Sequence, residues 1–173
     1  SMGLLCDIQA LNNVIKGFKP NKLIVLAARP GMGKTSLALN IFQSFANANK
    51  SGIFFSLEME KLELINKMIS AETTIPLDKL ESGNVTDLEV LRVNHYCRLH
   101  RNSRAVINDN SRVGYKSIKA AMIAHKSKYN DIDFIIIDYL QLMEVEGSKN
   151  SNANIDIGKI TRELKVLSGE YQI

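Results

Sequence analysis

Long apolar runs are missing from this sequence: none approaches the roughly 20 residues that carry a helix across a bilayer, so no membrane-spanning helix is expected. The opening Ser1-Met2-Gly3-Leu4-Leu5-Cys6 has no basic region followed by a long apolar one, and nothing there argues for secretion. Cysteine is scarce. Cys6 and Cys97 are too few for a disulfide framework, and a reduced, cytoplasmic compartment is the simplest reading. Internal repeats are absent too. His95, Cys97 and His100 fit no common zinc spacing and have no second ligand pair nearby, so packing roles are expected of them.

What is present suits one globular domain. The 173 residues are 45% hydrophobic and 23% charged, enough apolar material to bury a substantial core. Ser1-Met2 reads as a cloning scar, which makes residues 1–173 a single truncated domain cut from a longer protein. Charge is uneven. The stretch from Arg98 to Lys128 has eight Lys or Arg against one acid, Asp109, a net +7 in a chain whose total is +4. Such a cluster suits an anionic partner, a solvated helix face or half of a subunit interface.

Strand and helix patterns alternate along the chain. Leu23-Ile24-Val25-Leu26-Ala27 fits a buried parallel strand, and Leu37, Ala38, Ile41, Phe42 and Phe45 fall at helical spacing. Ile53 to Leu57 reads as a second strand, and Leu62, Ile65 and Ile69 as a helix ending before Pro76. A helix with an irregular approach is expected from Thr86 to Leu99, then a short strand at Ala105-Val106-Ile107. Tyr115, Ile118, Met122, His125 and Tyr129 form one helical stripe, with His125 a helix-face residue whose ring is satisfied. Phe134 to Ile137 is the most apolar strand. Gly147 to Asn154 reads as a polar loop, and Ile157, Ile160, Leu164 and Leu167 as a last helical stripe. This alternation implies an α/β fold: a mostly parallel sheet with helices on both faces, whose C-terminal strands lie beyond Ile173.

The chemistry centres on Ala28-Arg29-Pro30-Gly31-Met32-Gly33-Lys34-Thr35, which matches the P-loop pattern with Ala in place of the first Gly. Its glycines let successive N–H groups turn inward on phosphate oxygens, and the helix starting near Gly33 adds its positive end. Ala28 through Thr35, with Ser36, are therefore the nucleotide-binding candidates. Lys34 reaches the β- and γ-phosphates as a catalytic cation, and Thr35 offers its hydroxyl to Mg²⁺. Phe134-Ile135-Ile136-Ile137-Asp138 has the pattern of a Walker B strand, which makes Asp138 the second metal candidate. On local residues alone, Asp138 also reads as a turn cap. Glu58, just past the second strand, is the candidate catalytic residue that polarises the attacking water, or else a first-turn glutamate favoured by a helix dipole.

Three stretches together resemble one family. Ala27 to Thr35, Ser56-Leu57-Glu58-Met59 and Asp138-Tyr139-Leu140-Gln141-Leu142-Met143 are similar to the RecA-like C-terminal motor domain of the bacterial replicative DNA helicase DnaB. Leu80-Glu81-Ser82-Gly83 and Ile160-Thr161-Arg162-Glu163-Leu164-Lys165 add to the likeness, which runs from about Ile15 to Leu167. The resemblance implies a hexameric ring that encircles single-stranded DNA and translocates on it with ATP and Mg²⁺, Glu58 activating water. It implies a channel-facing loop at Glu144 to Ile155, and primase and a helicase loader as partners. It also implies a sensor strand, a second DNA loop and an arginine finger beyond Ile173, so that the chain alone hydrolyses ATP poorly. Gly169 is expected to interrupt the last helix. A RecA- or KaiC-like ring or filament without unwinding activity is the alternative, and a small-molecule kinase a third class.

Overall fold

The computed structural model describes residues 3–27, 29, 31–138 and 153–173. In chain order its elements are α1 (Gln9–Ile15), α2 (Lys34–Asn47), β1 (Gly52–Ser56), α3 (Lys61–Thr73), α4 (Leu77–Ser82), α5 (Asp87–His100), β2 (Ala105–Asn108), α6 (Tyr115–Tyr129), β3 (Phe134–Asp138) and α7 (Ala153–Tyr171). The strands form a parallel sheet in the order β2-β1-β3. Their C-terminal ends therefore share one edge, where an open α/β sheet places its ligands.

β1 is buried along its whole length, and the period-two alternation of a strand sends its side chains to opposite faces. Phe54 enters a core with Phe42 and Phe45 of α2, Leu64 and Met68 of α3, and Phe134. Ile53, Phe55 and Leu57 enter a second core with Ile118 and Met122 of α6 and Ile160, Leu164 and Leu167 of α7. Helices thus cover both faces of the sheet, as the alternating pattern requires. Phe42 meets Phe54 edge-on at 5.5 Å between ring centroids, and Phe45 lies 4.9 Å from Phe134. The close approach of Phe134 explains Gly52: a Cβ there would fall 2.5 Å from the Phe134 carbonyl oxygen and 2.6 Å from its ring.

The expected strand at Leu23 to Ala27 does not form. These residues make no ladder, and Leu23, Ile24, Val25 and Leu26 are all exposed, Val25 by 65%. β3 pairs with β1 alone among the described residues, so no strand seats this run in the sheet. The run is held instead at its start, where Asn21 N–H donates to the Ile173 carbonyl (2.7 Å) and Lys165 Nζ to the Asn21 carbonyl. A buried apolar strand needs paired amides as well as apolar neighbours, and here the pairing is missing.

Three smaller expectations also change. α7 continues through Gly169 to Tyr171, because Leu164 and Leu167 anchor it on the second core. α5 begins regularly, with Thr86 and Glu89 forming a reciprocal capping box. α1 and α4 are helices that the periodicity did not announce; α4 starts directly after Pro76 and ends at Gly83, whose φ is 72°. Of the expected loop from 147 to 154, residues up to 152 lie outside the described ones and Ala153 already belongs to α7.

At the N-terminal edge of the sheet a polar node, buried at Ser51 and His125, joins four elements. Ser51 Oγ donates to the Asp131 carbonyl (2.9 Å) and lies 2.7 Å from His125 Nε2, while Ser51 N–H donates to Asp133 Oδ2 (2.8 Å). The hydroxyl has one proton, so His125 Nε2–H must be the donor to it. Arg104 forks onto the Asp131 carboxylate at 2.7 and 2.9 Å and also donates to the Asn49 carbonyl. His125 is therefore the satisfied helix-face residue expected from its stripe.

Burial holds the His125 pKa below its ordinary value of 6.5, with Lys128 and Arg104 adding to the effect and Asp131 opposing it. A depressed histidine pKa means the unfolded chain binds the extra proton first. The stabilisation from neutral His125 is complete above about pH 6.5 and is lost as pH falls toward the folded-state value. Urea midpoints at pH 7.5 and 5.5 should separate more in wild type than in His125→Gln, and equal separation would show that the node does not titrate. Gly52→Ala should cost about 1–3 kcal/mol through overpacking against Phe134, read as a lower urea midpoint.

Candidate functional site

The start of α2 has no side-chain cap. Gly33, its N-cap, sits at φ 79°, and the first turn has no acid. α3 and α5, in contrast, close their first turns with Glu60–Glu63 and Thr86–Glu89. An uncapped helix start presents several N–H donors and a positive dipole end, the requirements of a phosphate site. Gly31 also has a positive φ of 78°, and Met32 N–H donates to the Arg29 carbonyl at 3.2 Å, folding the loop back just before the helix. A Cβ at Gly31 or Gly33 would meet nothing within 4 Å, so the two glycines serve backbone conformation and leave open space in front of the amides. Ala28 and Pro30 lie outside the described residues. Arg29, Met32 and Ser36 are exposed on the loop and first turn, and Lys34 and Thr35 are half-buried.

Across from this loop, Asp138 ends β3 and is 5% exposed. Thr35 Oγ1 donates to Asp138 Oδ2 at 2.8 Å, joining residues 103 apart in sequence. The carboxylate thus faces the P-loop hydroxyl, and the turn that Asp138 would otherwise cap lies outside the described residues. The donor set also fits Mg²⁺. That cation prefers oxygen ligands in an octahedron with bonds of about 2.1 Å, whose adjacent corners lie about 3.0 Å apart, near the Thr35–Asp138 separation.

Glu58 is on the same edge, one strand over. Ser56 pairs with Asp138 in the β1–β3 register, and Leu57 N–H extends that ladder by donating to the Asp138 carbonyl (2.9 Å). The chain then turns, with Ser56 Oγ donating to the Met59 carbonyl at 2.7 Å. Glu58 is exposed in this turn, and its carboxylate has no hydrogen-bond partner among the described residues. It precedes α3, so it is not a first-turn residue of that helix. Two hollows of about 500 and 550 Å³ lie between α3 and α5 and between α2 and α3; neither contains Asp138 or Glu58, and Ser36 lines the second.

The basic stretch from Arg98 to Lys128 is dispersed by the fold. Arg104 is tied to Asp131, Lys119 pairs with Glu170 on α7 (3.2 Å), Lys126 lies over the Tyr171 ring and Lys128 over Tyr129. Sequence reasoning passed over its single acid. Asp109 follows β2 directly, and its Oδ2 accepts from Lys61 N–H at 2.9 Å, capping α3 beside the Glu58 turn. An acid immediately after a strand was the available signal. Of the expected channel loop, residues 144 to 152 lie outside the described residues, and its last three belong to α7. No described helix is long and apolar enough to cross a membrane.

Parallel strands ending at a glycine-opened, uncapped helix, with a buried acid facing its threonine, define a P-loop ATPase domain of the RecA-like type. Within that class, the chain belongs to the DnaB-like helicase C-terminal domain family, whose model matches residues 3–173. It is 34% identical over 172 residues to the replicative DNA helicase DnaC of Bacillus subtilis (strain 168), and 35% identical over 173 residues to the replicative DNA helicase DnaB of Helicobacter pylori. Both alignments take in 99% of this chain but only 38% and 35% of those relatives, so the chain spans little more than a third of their length. Among solved structures, one described as an ATPase domain superposes with a TM-score of 0.89 at 25% identity, over 99% of this chain and 61% of that one. A DnaB-like replicative helicase, described with its interactions with primase, gives 0.88 at 26% identity, over 99% and 42%.

Lys34→Ala should weaken ATP binding ten- to a hundredfold, since hydrogen bonds to charged groups are worth about 1.5–3 kcal/mol each. The circular dichroism spectrum should not change. Calorimetric titration checks the affinity, and an unaltered value would remove Lys34 from the site.

Proposed function

We propose that this chain is the motor portion of a replicative DNA helicase, binding and hydrolysing ATP to translocate on single-stranded DNA and unwind duplex. The observation that carries the reading is the 2.8 Å contact between Thr35 and Asp138, with Glu58 in the turn that follows the neighbouring strand. Family membership supports the helicase over the other uses of a P-loop. In this reading the amides of Gly31 to Ser36 hold the phosphate chain and Lys34 neutralises charge on the transferred phosphoryl group. Thr35 and Asp138 would hold Mg²⁺, which supplies further charge neutralisation when bound. Glu58 orients the attacking water and accepts its proton. Its carboxylate, exposed and without a partner among the described residues, is available for that task.

The working assembly is a homohexamer around single-stranded DNA, with the arginine finger acting from a neighbouring subunit. Primase and a loader are the partners in this reading, and the relative described with primase supports the first of them. The chain by itself then turns over ATP weakly, because a missing finger costs about 10³–10⁵ in rate.

ATP hydrolysis by the full-length helicase should be stimulated by single-stranded DNA and accompanied by strand displacement on a forked duplex. Stimulation without displacement would favour a RecA- or KaiC-like ATPase that does not unwind. Glu58→Gln should lower kcat by at least about 100-fold while ATP still binds, as expected for loss of a general base; wild-type turnover in that variant would reassign the water-orienting role.

A further inference from the structure

We infer that Asp109 is a positioning residue for hydrolysis, holding the Glu58 turn in place from the β2 side of the sheet. The inference rests on the reading of Glu58 as the water-orienting base. That carboxylate has no side-chain restraint of its own among the described residues, so its location is set by the backbone turn that carries it. Four hydrogen bonds pin the turn. Leu57 N–H donates to the Asp138 carbonyl at 2.9 Å, which fixes the turn to β3. Ser56 Oγ donates to the Met59 carbonyl at 2.7 Å and Glu60 N–H to Glu63 Oε2 at 3.1 Å, both internal to the turn and the start of α3. Lys61 N–H donates to Asp109 Oδ2 at 2.9 Å. Of these four, only the Asp109 contact reaches the strand on the other side of β1.

The topology explains why this position is suited to the task. Phe55 pairs with Asn108 in the parallel register, so Asp109 is the first residue past the ladder and stands beside the end of β1. α3 begins at Lys61, three residues after Glu58, and its first amide is an orphan donor that a carboxylate oxygen satisfies well. Leu64, Met68 and Ile69 anchor α3 in the core from its fourth residue onward, so without that acceptor the freedom falls on the short segment between Leu57 and Leu64. Glu58 lies in that segment and would move with it. Displacements of about 1 Å at a catalytic group can cost on the order of 100-fold in rate.

The test uses the full-length helicase with three substitutions, Asp109→Ala, Asp109→Asn and Glu58→Gln, each assayed for steady-state ATP hydrolysis on single-stranded DNA. Asp109→Ala should lower kcat about tenfold or more with KM for ATP unchanged, because the phosphate cradle on α2 is untouched. Asp109→Asn keeps a carbonyl acceptor for the Lys61 amide and should recover most of that loss. Amide hydrogen exchange should speed up at Lys61 and across the Glu58 turn in the Ala variant but not in the Asn variant. If Asn behaves like Ala, the negative charge rather than the cap matters and the inference is overturned. It is equally overturned if Asp109→Ala leaves kcat at the wild-type value while Glu58→Gln abolishes turnover. Should Glu58→Gln itself hydrolyse normally, the reading of Glu58 fails, and the exchange data alone then decide whether Asp109 orders the turn.

Discussion

The hydrogen bond from Thr35 to Asp138 is the contact on which the rest of this structure's function depends. It closes a loop of about a hundred residues and sets the start of α2 against the end of β3. Neither partner has any chemical meaning alone. A threonine at a helix start is common, and an acid at a strand end often caps a turn. Held 2.8 Å apart, with the acid nearly buried, they set two oxygen atoms side by side at an uncapped helix terminus. The positive end of α2 would repel a cation by itself, and the Asp138 carboxylate offsets it, an arrangement suited to the metal-bound phosphate chain proposed above.

That contact survives because the sheet behind it is stiff. β1 lies between β2 and β3, buried throughout, with α2 and α3 packed on one face and α6 and α7 on the other. Close-packed interiors leave little room for adjustment, and Gly52 shows how little slack remains where β1 passes Phe134. The two edges of the sheet then divide the polar work. At the N-terminal edge, Ser51, His125, Asp131, Asp133 and Arg104 satisfy one another, and that end is structural. At the C-terminal edge, the α2 amides lack a side-chain cap and the Glu58 carboxylate lacks a partner among the described residues. Groups with no side-chain partner among the described residues thus gather at one edge, and they are the ones accessible to a ligand.

Much of the fold was legible beforehand because local signals agreed with the global arrangement. The stripe from Tyr115 to Tyr129 became α6 with the same bounds, and Ala105 to Ile107 and Phe134 to Ile137 became strands. Leu23 to Ala27 was misread for a physical reason. Its composition records a preference for burial, while strand formation also requires a neighbour with free amides, which no local pattern encodes. α1 and α4, of seven and six residues, are too short for periodicity to register. Gly169 was given too much weight. Its propensity cost of about 1 kcal/mol is smaller than what α7 gains by burying Leu164 and Leu167.

By itself the sequence determined which atoms are available: the glycines and Lys34-Thr35 of the loop, the carboxylates of Glu58 and Asp138, and the motif combination that identifies the family. These are legible because phosphate binding needs particular residue types at consecutive positions along one turn of chain. Only the tertiary structure decided which of the acids face the loop, that Arg104 and Lys119 of the basic stretch pair with acids of this chain, and that Asp109 caps α3 beside Glu58. Those relations join residues tens of positions apart, and they are set by strand register and helix packing, which no short window of sequence contains.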